Sequence, residues 1–147
     1  MLTVAASAEQ AVRGADVIVT ATSSREPVLR REWLSPGAHV NAVGASLPSA
    51  RELDVEIVAD SALFCDSRES LRNEAGEFRL ALAQGAIAGE HIRATLGEVL
   101  AGTASGRADP GELTLFRSLG LAVEDLAAAR HAVAAARGLG LGTEVAL

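Results

Sequence analysis

The run Asp16-Val17-Ile18-Val19-Thr20-Ala21-Thr22 places the tightest limit on what this chain can fold into. It is short, rich in β-branched residues and lacks the polar alternation of a strand with one wet face, so it reads as a strand covered on both faces in a parallel sheet. A turn cluster, Ser35-Pro36-Gly37, delivers the chain to a second run, Ala38-His39-Val40-Asn41-Ala42-Val43, and Leu63-Phe64-Cys65 is a third. Helical patterns stand between them. Ser7 and Gln10 have capping-box spacing ahead of a short helix over residues 8–13 that stops at Gly14, residues 30–34 form a helical turn, and residues 53–61 place Leu53, Ile57 and Val58 on one face. Repeated switching between strand and helix periods predicts βαβ units, and hence an α/β fold with right-handed crossovers.

The second half reads as mostly helical. Asp66 and Glu69 have capping-box-like spacing before Leu71, Gly76 reads as a stop, and residues 78–83 and 92–100 read as further helical segments. Residues 103–111 are loop, and residues 114–118 look extended. A long alanine-rich helix over 122–137 carries Glu124 and Asp125 in its first turn and Arg137 in its last, matching the helix dipole. The glycines of Gly138-Leu139-Gly140-Leu141-Gly142 resemble part of a dinucleotide fingerprint. They follow a helix, with no room for a phosphate-facing helix behind them, so they read as a helix C-cap leading into an extended tail over 143–147.

Composition narrows the function classes. At 147 residues the chain has one domain's worth of core, and 49% apolar with 22% charged residues is globular. All 13 basic residues are arginine, which removes lysine-dependent chemistry from this chain. A formal charge of −6 with 3% aromatic residues argues against nucleic acid, because neither phosphate neutralisation nor base stacking has its usual residues. The single Cys65 and the absence of a membrane-length apolar run or a positively charged leader lead us to expect a cytoplasmic protein. No metal site is expected from His39, His91 and His131, which are far apart in sequence, and Cys65 reads as a core residue.

Ligands of open α/β sheets bind outside the strand carboxyl ends. Here those ends carry Thr20-Ala21-Thr22-Ser23-Ser24, Val43-Gly44-Ala45-Ser46 and Asp66-Ser67. Such segments offer hydroxyls and backbone amides to a ligand, and they equally suit ordinary βα loops.

The order of motifs is more specific than any one of them. The segments 16–24 and 36–46, then Pro48 with Arg51-Glu52-Leu53, Asp66-Ser67-Arg68-Glu69, Glu74-Ala75-Gly76-Glu77, Leu96-Gly97-Glu98-Val99-Leu100 and Thr114-Leu115-Phe116-Arg117-Ser118-Leu119-Gly120 ahead of Glu124-Asp125, closely resemble the ornithine cyclodeaminase and mu-crystallin family. The resemblance covers the C-terminal portion of such proteins. It implies the C-terminal part of a Rossmann-like NAD(P)-binding domain with parallel strands, followed by a helical C-terminal segment. The expected division is a partial cofactor domain over 1–113, lacking the glycine-rich first unit, and a segment over 114–147 that returns to the substrate and dimerisation domain. In the family an essential lysine and the pyrophosphate-binding βαβ unit precede this portion.

By the same resemblance the cofactor is NAD or NADP and the substrate a small amino acid or cyclic imine. Thr22, Val43, Gly44, Ala45, Ser46 and Ser118 match cofactor contacts, and Leu119 lies beside the substrate. No catalytic residue is carried over. Ser46 stands where cyclodeaminases carry a proton-handling aspartate, and a serine hydroxyl cannot act as that base near neutral pH, so ketimine-reductase-like chemistry is favoured over cyclodeamination. The alternatives are ornithine cyclodeaminase proper and a cofactor-domain remnant that binds a partner without turnover. Self-association, or docking with an N-terminal half, is expected of the isolated chain, and no turnover.

Overall fold

The computed structural model describes residues 2–143 and 145. Five parallel strands, β1 (Val17–Thr20), β2 (His39–Ala42), β3 (Ala62–Cys65), β4 (Ile92–Thr95) and β5 (Thr114–Arg117), form one sheet in the order β1-β2-β5-β3-β4. Thr114–Arg117, which opens the expected C-terminal segment, is therefore the central strand of the sheet. Helices α1 (Ala8–Val12), α2 (Val55–Asp60), α3 (Arg68–Glu74), α4 (Gly76–Ala83), α5 (Leu96–Leu100) and α6 (Ala122–Leu139) complete the described elements.

The alternation of side chains along each strand separates two sheet faces. On one face Ile18, Val40, Ala42, Leu63, Cys65 and Leu115 pack against Ile57 and Val58 of α2, Leu71 of α3 and Phe78 and Ala81 of α4. Burying each large aliphatic or aromatic side chain of this core contributes about 1.5–3 kcal/mol. On the other face Ala62, Phe64 and Ala94 meet Val99, Ala104 and Phe116. Cover on that second face stops short of the β1 edge, where Val17 and Val19 are 63% and 61% exposed. The run read as a strand covered on both faces is thus covered on one.

Two local expectations are corrected. Residues 92–100 are not one helical segment: β4 runs directly into α5, and Thr95 ends the strand and caps the helix, accepting from Glu98 N at 3.2 Å while Glu98 Oε2 accepts from Thr95 N at 2.7 Å. Gly76 does not end a helix but opens α4. A Cβ at Gly76 would lie 2.1 Å from the Ala50 carbonyl oxygen, so the residue is required by close approach to a neighbouring loop. The last glycine run does cap a helix: Gly140 takes φ +66 and Leu141 N donates to Ala136 O at 2.9 Å. Most of the tail expected to be extended over 143–147 lies outside the described residues. No helix among the described residues is long and apolar enough to cross a membrane.

Candidate functional site at the strand carboxyl ends

Parallel pairing brings the ends of β1, β2 and β5 side by side, Thr20 opposite Ala42 and Ala42 opposite Arg117. The loops that follow are therefore neighbours although they lie far apart in sequence. Val43 N donates to Thr20 O at 2.9 Å and Ser118 N to Ala42 O at 3.1 Å, which carries the ladder past the strands. Thr22, Val43, Gly44, Ala45, Ser46, Ser118 and Leu119 all gather on this one edge. Thr22, Val43 and Ser46 are exposed, Gly44, Ser118 and Leu119 half-buried, and Ala45 buried.

One buried side chain, Glu52, organises the first two loops. Its Oε1 accepts from Thr22 N at 2.5 Å, and its Oε2 accepts from Thr20 Oγ1 and Gly44 N, both at 2.9 Å, and from Ala45 N at 3.4 Å. Burial pushes the carboxyl up, but the hydrogen bonds from Thr22, Gly44 and Thr20 outweigh it and hold Glu52 below the usual glutamate value. Gly44 makes the arrangement possible. A Cβ there would lie 2.1 Å from Thr22 N and 2.5 Å from Glu52 Oε1.

Asp66 does the same for the third loop. Its Oδ2 accepts from Leu119 N at 2.7 Å, Gly120 N at 2.6 Å and Ser118 Oγ at 3.3 Å. The expected capping role of Asp66 falls instead to Ser67, whose Oγ accepts from Ser70 N, because the Asp66 carboxylate is turned toward the loop after β5. Sequence reasoning missed both carboxylates as loop holders. Their donors include groups on other strands and loops far away in sequence, so no spacing rule could find them; the available signal was a glutamate beside Leu53, an apolar residue expected on the inner face of α2.

The backbone amides of Thr22, Gly44, Ala45, Leu119 and Gly120 are thus spent on two carboxylates, and those of Val43 and Ser118 on strand carbonyls. Amides at strand-to-helix turns usually attract phosphate. Here the anion positions are filled from within, which leaves an edge suited to a neutral or cationic group.

Cys65 is fully buried beside this edge, and burial pushes its thiol up to about 11. His39 Nδ1 lies 2.7 Å from Thr114 Oγ1 in the sheet and His91 Nε2 lies 2.6 Å from Val58 O, while His131 is on α6. Among the described residues no group of three His, Cys, Asp or Glu side chains is placed to hold a metal ion. A surface cavity of about 610 Å³, lined by Glu26, Arg30 and Asp54 among others, shares no residue with the expected contacts.

Comparison with known proteins decides the family. Residues 1–138 match the model of the ornithine cyclodeaminase/mu-crystallin family. The chain belongs to that family. It is 47% identical over 127 residues to ketimine reductase mu-crystallin of Mus musculus, an alignment that covers 86% of this chain and 38% of that protein. Among solved structures, Thermococcus litoralis Δ1-pyrroline-2-carboxylate reductase in complex with NADH and L-proline superposes with a TM-score of 0.88 at 42% identity, over 95% of this chain and 43% of the reductase. An archaeal alanine dehydrogenase dimer with bound NAD gives 0.82 at 41% identity, over 95% of this chain and 43% of that one. The chain spans about two fifths of the length of these relatives. The parallel α/β architecture is that of this family's NAD-binding reductases.

Proposed function

We propose that this chain is the C-terminal portion of an NAD(P)-dependent oxidoreductase of the ketimine reductase type, acting on a small amino acid or cyclic imine. The observation that carries the reading is the strand-end edge, where the loops after β1 and β2 are drawn together on Glu52 with their amides already satisfied. Such an edge repels a pyrophosphate and accepts the nicotinamide half of the cofactor, whose oxidised ring is cationic. The relative solved with NADH and L-proline supports this reading.

When bound, the nicotinamide supplies or takes the hydride. What the chain's own residues do is position and exclude. Thr22, Val43, Gly44, Ala45 and Ser46 form one wall of the cofactor site, Ser118 an adjoining contact, and Leu119 an apolar surface beside the substrate. Ser46 presents a hydroxyl that cannot serve as a general base near neutral pH, which favours simple C=N reduction over ring closure with loss of ammonia. The glycine-rich unit and the lysine implied by the family come from another stretch of chain, so the 147 residues alone do not turn over.

The test is a fusion in which residues 1–138 replace the matching stretch of the Thermococcus litoralis reductase. We expect NADH oxidation with Δ1-pyrroline-2-carboxylate to exceed ammonia release from ornithine. Ammonia release at the faster rate overturns the reading.

A further inference from the structure

We infer that Glu52 is a positioning residue: its one carboxylate locks the loop after β1 to the loop after β2 in the shape that receives the nicotinamide. The link to the cofactor rests on the functional reading above, whereas the clamp is a property of the fold. Three features set Glu52 apart from an ordinary buried acid. Its four donors come from two separate segments, Thr20 at the end of β1 with Thr22 in the loop after it, and Gly44 and Ala45 in the loop after β2. Oε1 takes the Thr22 amide and Oε2 the other three, so the two oxygens of one carboxylate bridge the two segments. And Gly44 stands between them with no side chain, which lets the second loop close onto the backbone of Thr22.

The arrangement can be taken apart selectively. A glutamine at position 52 keeps one acceptor oxygen and replaces the other with an NH2 donor. The orientation that loses least keeps the oxygen toward Thr20, Gly44 and Ala45 and turns the NH2 against the Thr22 amide, which then faces another donor and lets go. Glu52→Gln therefore uncouples the two loops at Thr22 while the sheet beneath stays paired. Glu77 of α4 feels the Glu52 charge and is itself paired with Arg117 of β5. A pH series must be read with both in mind.

Amide hydrogen exchange followed by NMR on the 147-residue chain tests the clamp. In E52Q we expect exchange at Thr22 to accelerate at least about tenfold, the loss of a hydrogen bond to a charged group, with less change at Gly44 and Ala45 and none at Val40 and Leu115. Unchanged exchange at Thr22, or acceleration shared equally with Val40, overturns the proposal. If E52Q does not fold, the unsubstituted chain decides: as pH falls below the ordinary glutamate range, protection corrected for intrinsic rates should be lost at Thr22 and Gly44 before Val40. Simultaneous loss overturns the clamp. In the reductase fusion, E52Q should raise the KM for NADH about tenfold, as expected if one charge-assisted contact orders the site. An active fusion with unchanged KM rejects the positioning role alone. A fusion inactive before substitution rejects the functional reading and with it the link to the cofactor, whatever exchange shows.

Discussion

Arg117 Nε lies 2.6 Å from Glu77 Oε1 beneath the strand ends, and both side chains are 1% exposed. Coulomb attraction to Arg117, a backbone hydrogen bond and a side-chain hydrogen bond from Arg117 together hold the Glu77 carboxylate. Burial raises the Glu77 carboxyl and Arg117 draws it back down. Arg117 Nη1 donates to Ala42 O at 2.9 Å and to Ser118 O, which ties the pair to the candidate site.

Breaking such a pair from one side leaves a buried charge without compensation. Glu77→Ala should lower stability by about 3–5 kcal/mol, read from the midpoint of urea unfolding. Replacing both partners, Glu77→Leu with Arg117→Met, should recover most of that loss. A double variant as unstable as the single one would mean that the pair stabilises the fold outright.

Gly44 gives a sharper contrast. A Cβ at this position meets the Thr22 backbone at 2.1 and 2.2 Å, atoms that cannot swing aside as a side-chain end can. Gly44→Ala should cost more than about 2 kcal/mol, as overpacking against fixed backbone does. Gly97, inside α5 with its nearest neighbour at 4.0 Å, should gain up to about 1 kcal/mol on substitution by alanine, because helix propensity alone changes. Thermal unfolding of the two variants checks the opposite signs.

Strands β1, β2, β3 and β5 were legible because each is a short apolar or β-branched run bounded by turn residues, and α6 because its charges and terminal glycine agree with its length. β4 was not. Ile92, Leu96, Val99 and Leu100 repeat at nearly helical spacing with no loop between strand and helix, so the period reads as one element. The capping box of Thr95 and Glu98 was the signal that a helix starts there rather than at residue 92. At the candidate site, sequence order and family resemblance placed the loops on one edge, whereas the groups that hold them were invisible. Glu52 meets donors 32 and 30 residues away, and Asp66 meets donors 52 to 54 residues away. Contacts of that kind exist only once the sheet order is known.

Cys65 should be chemically silent. With its thiol pushed up to about 11, the thiolate is roughly one part in a thousand at pH 8, and no part of the residue is exposed. Iodoacetamide should label Cys65 only as fast as the chain unfolds, so adding urea below the transition raises the labelling rate in step with the unfolded fraction. Rapid labelling without urea would mean that the β3 end opens locally.

The isolated chain should self-associate through β1. This strand is the sheet edge on one side, and Val17 and Val19 stand exposed on the open face. An edge of this kind offers backbone donors and acceptors together with apolar side chains, and no lysine interrupts it. A second exposed apolar surface, on α6, is the weaker candidate. Its Val123, Leu126 and Val133 lie on one stripe with Arg130 and Arg137 between or beside them, and a helix has no unpaired ladder to offer. Sedimentation velocity of the purified chain should therefore show dimers or larger species, and Val17→Lys with Val19→Lys should shift them to monomer. Both side chains are exposed, so the change in folding stability should stay within about 1 kcal/mol. Leu126→Lys should leave the association unchanged. A monomeric chain, or oligomers dissolved by the α6 substitution and not by the β1 pair, would place the adhesive surface elsewhere.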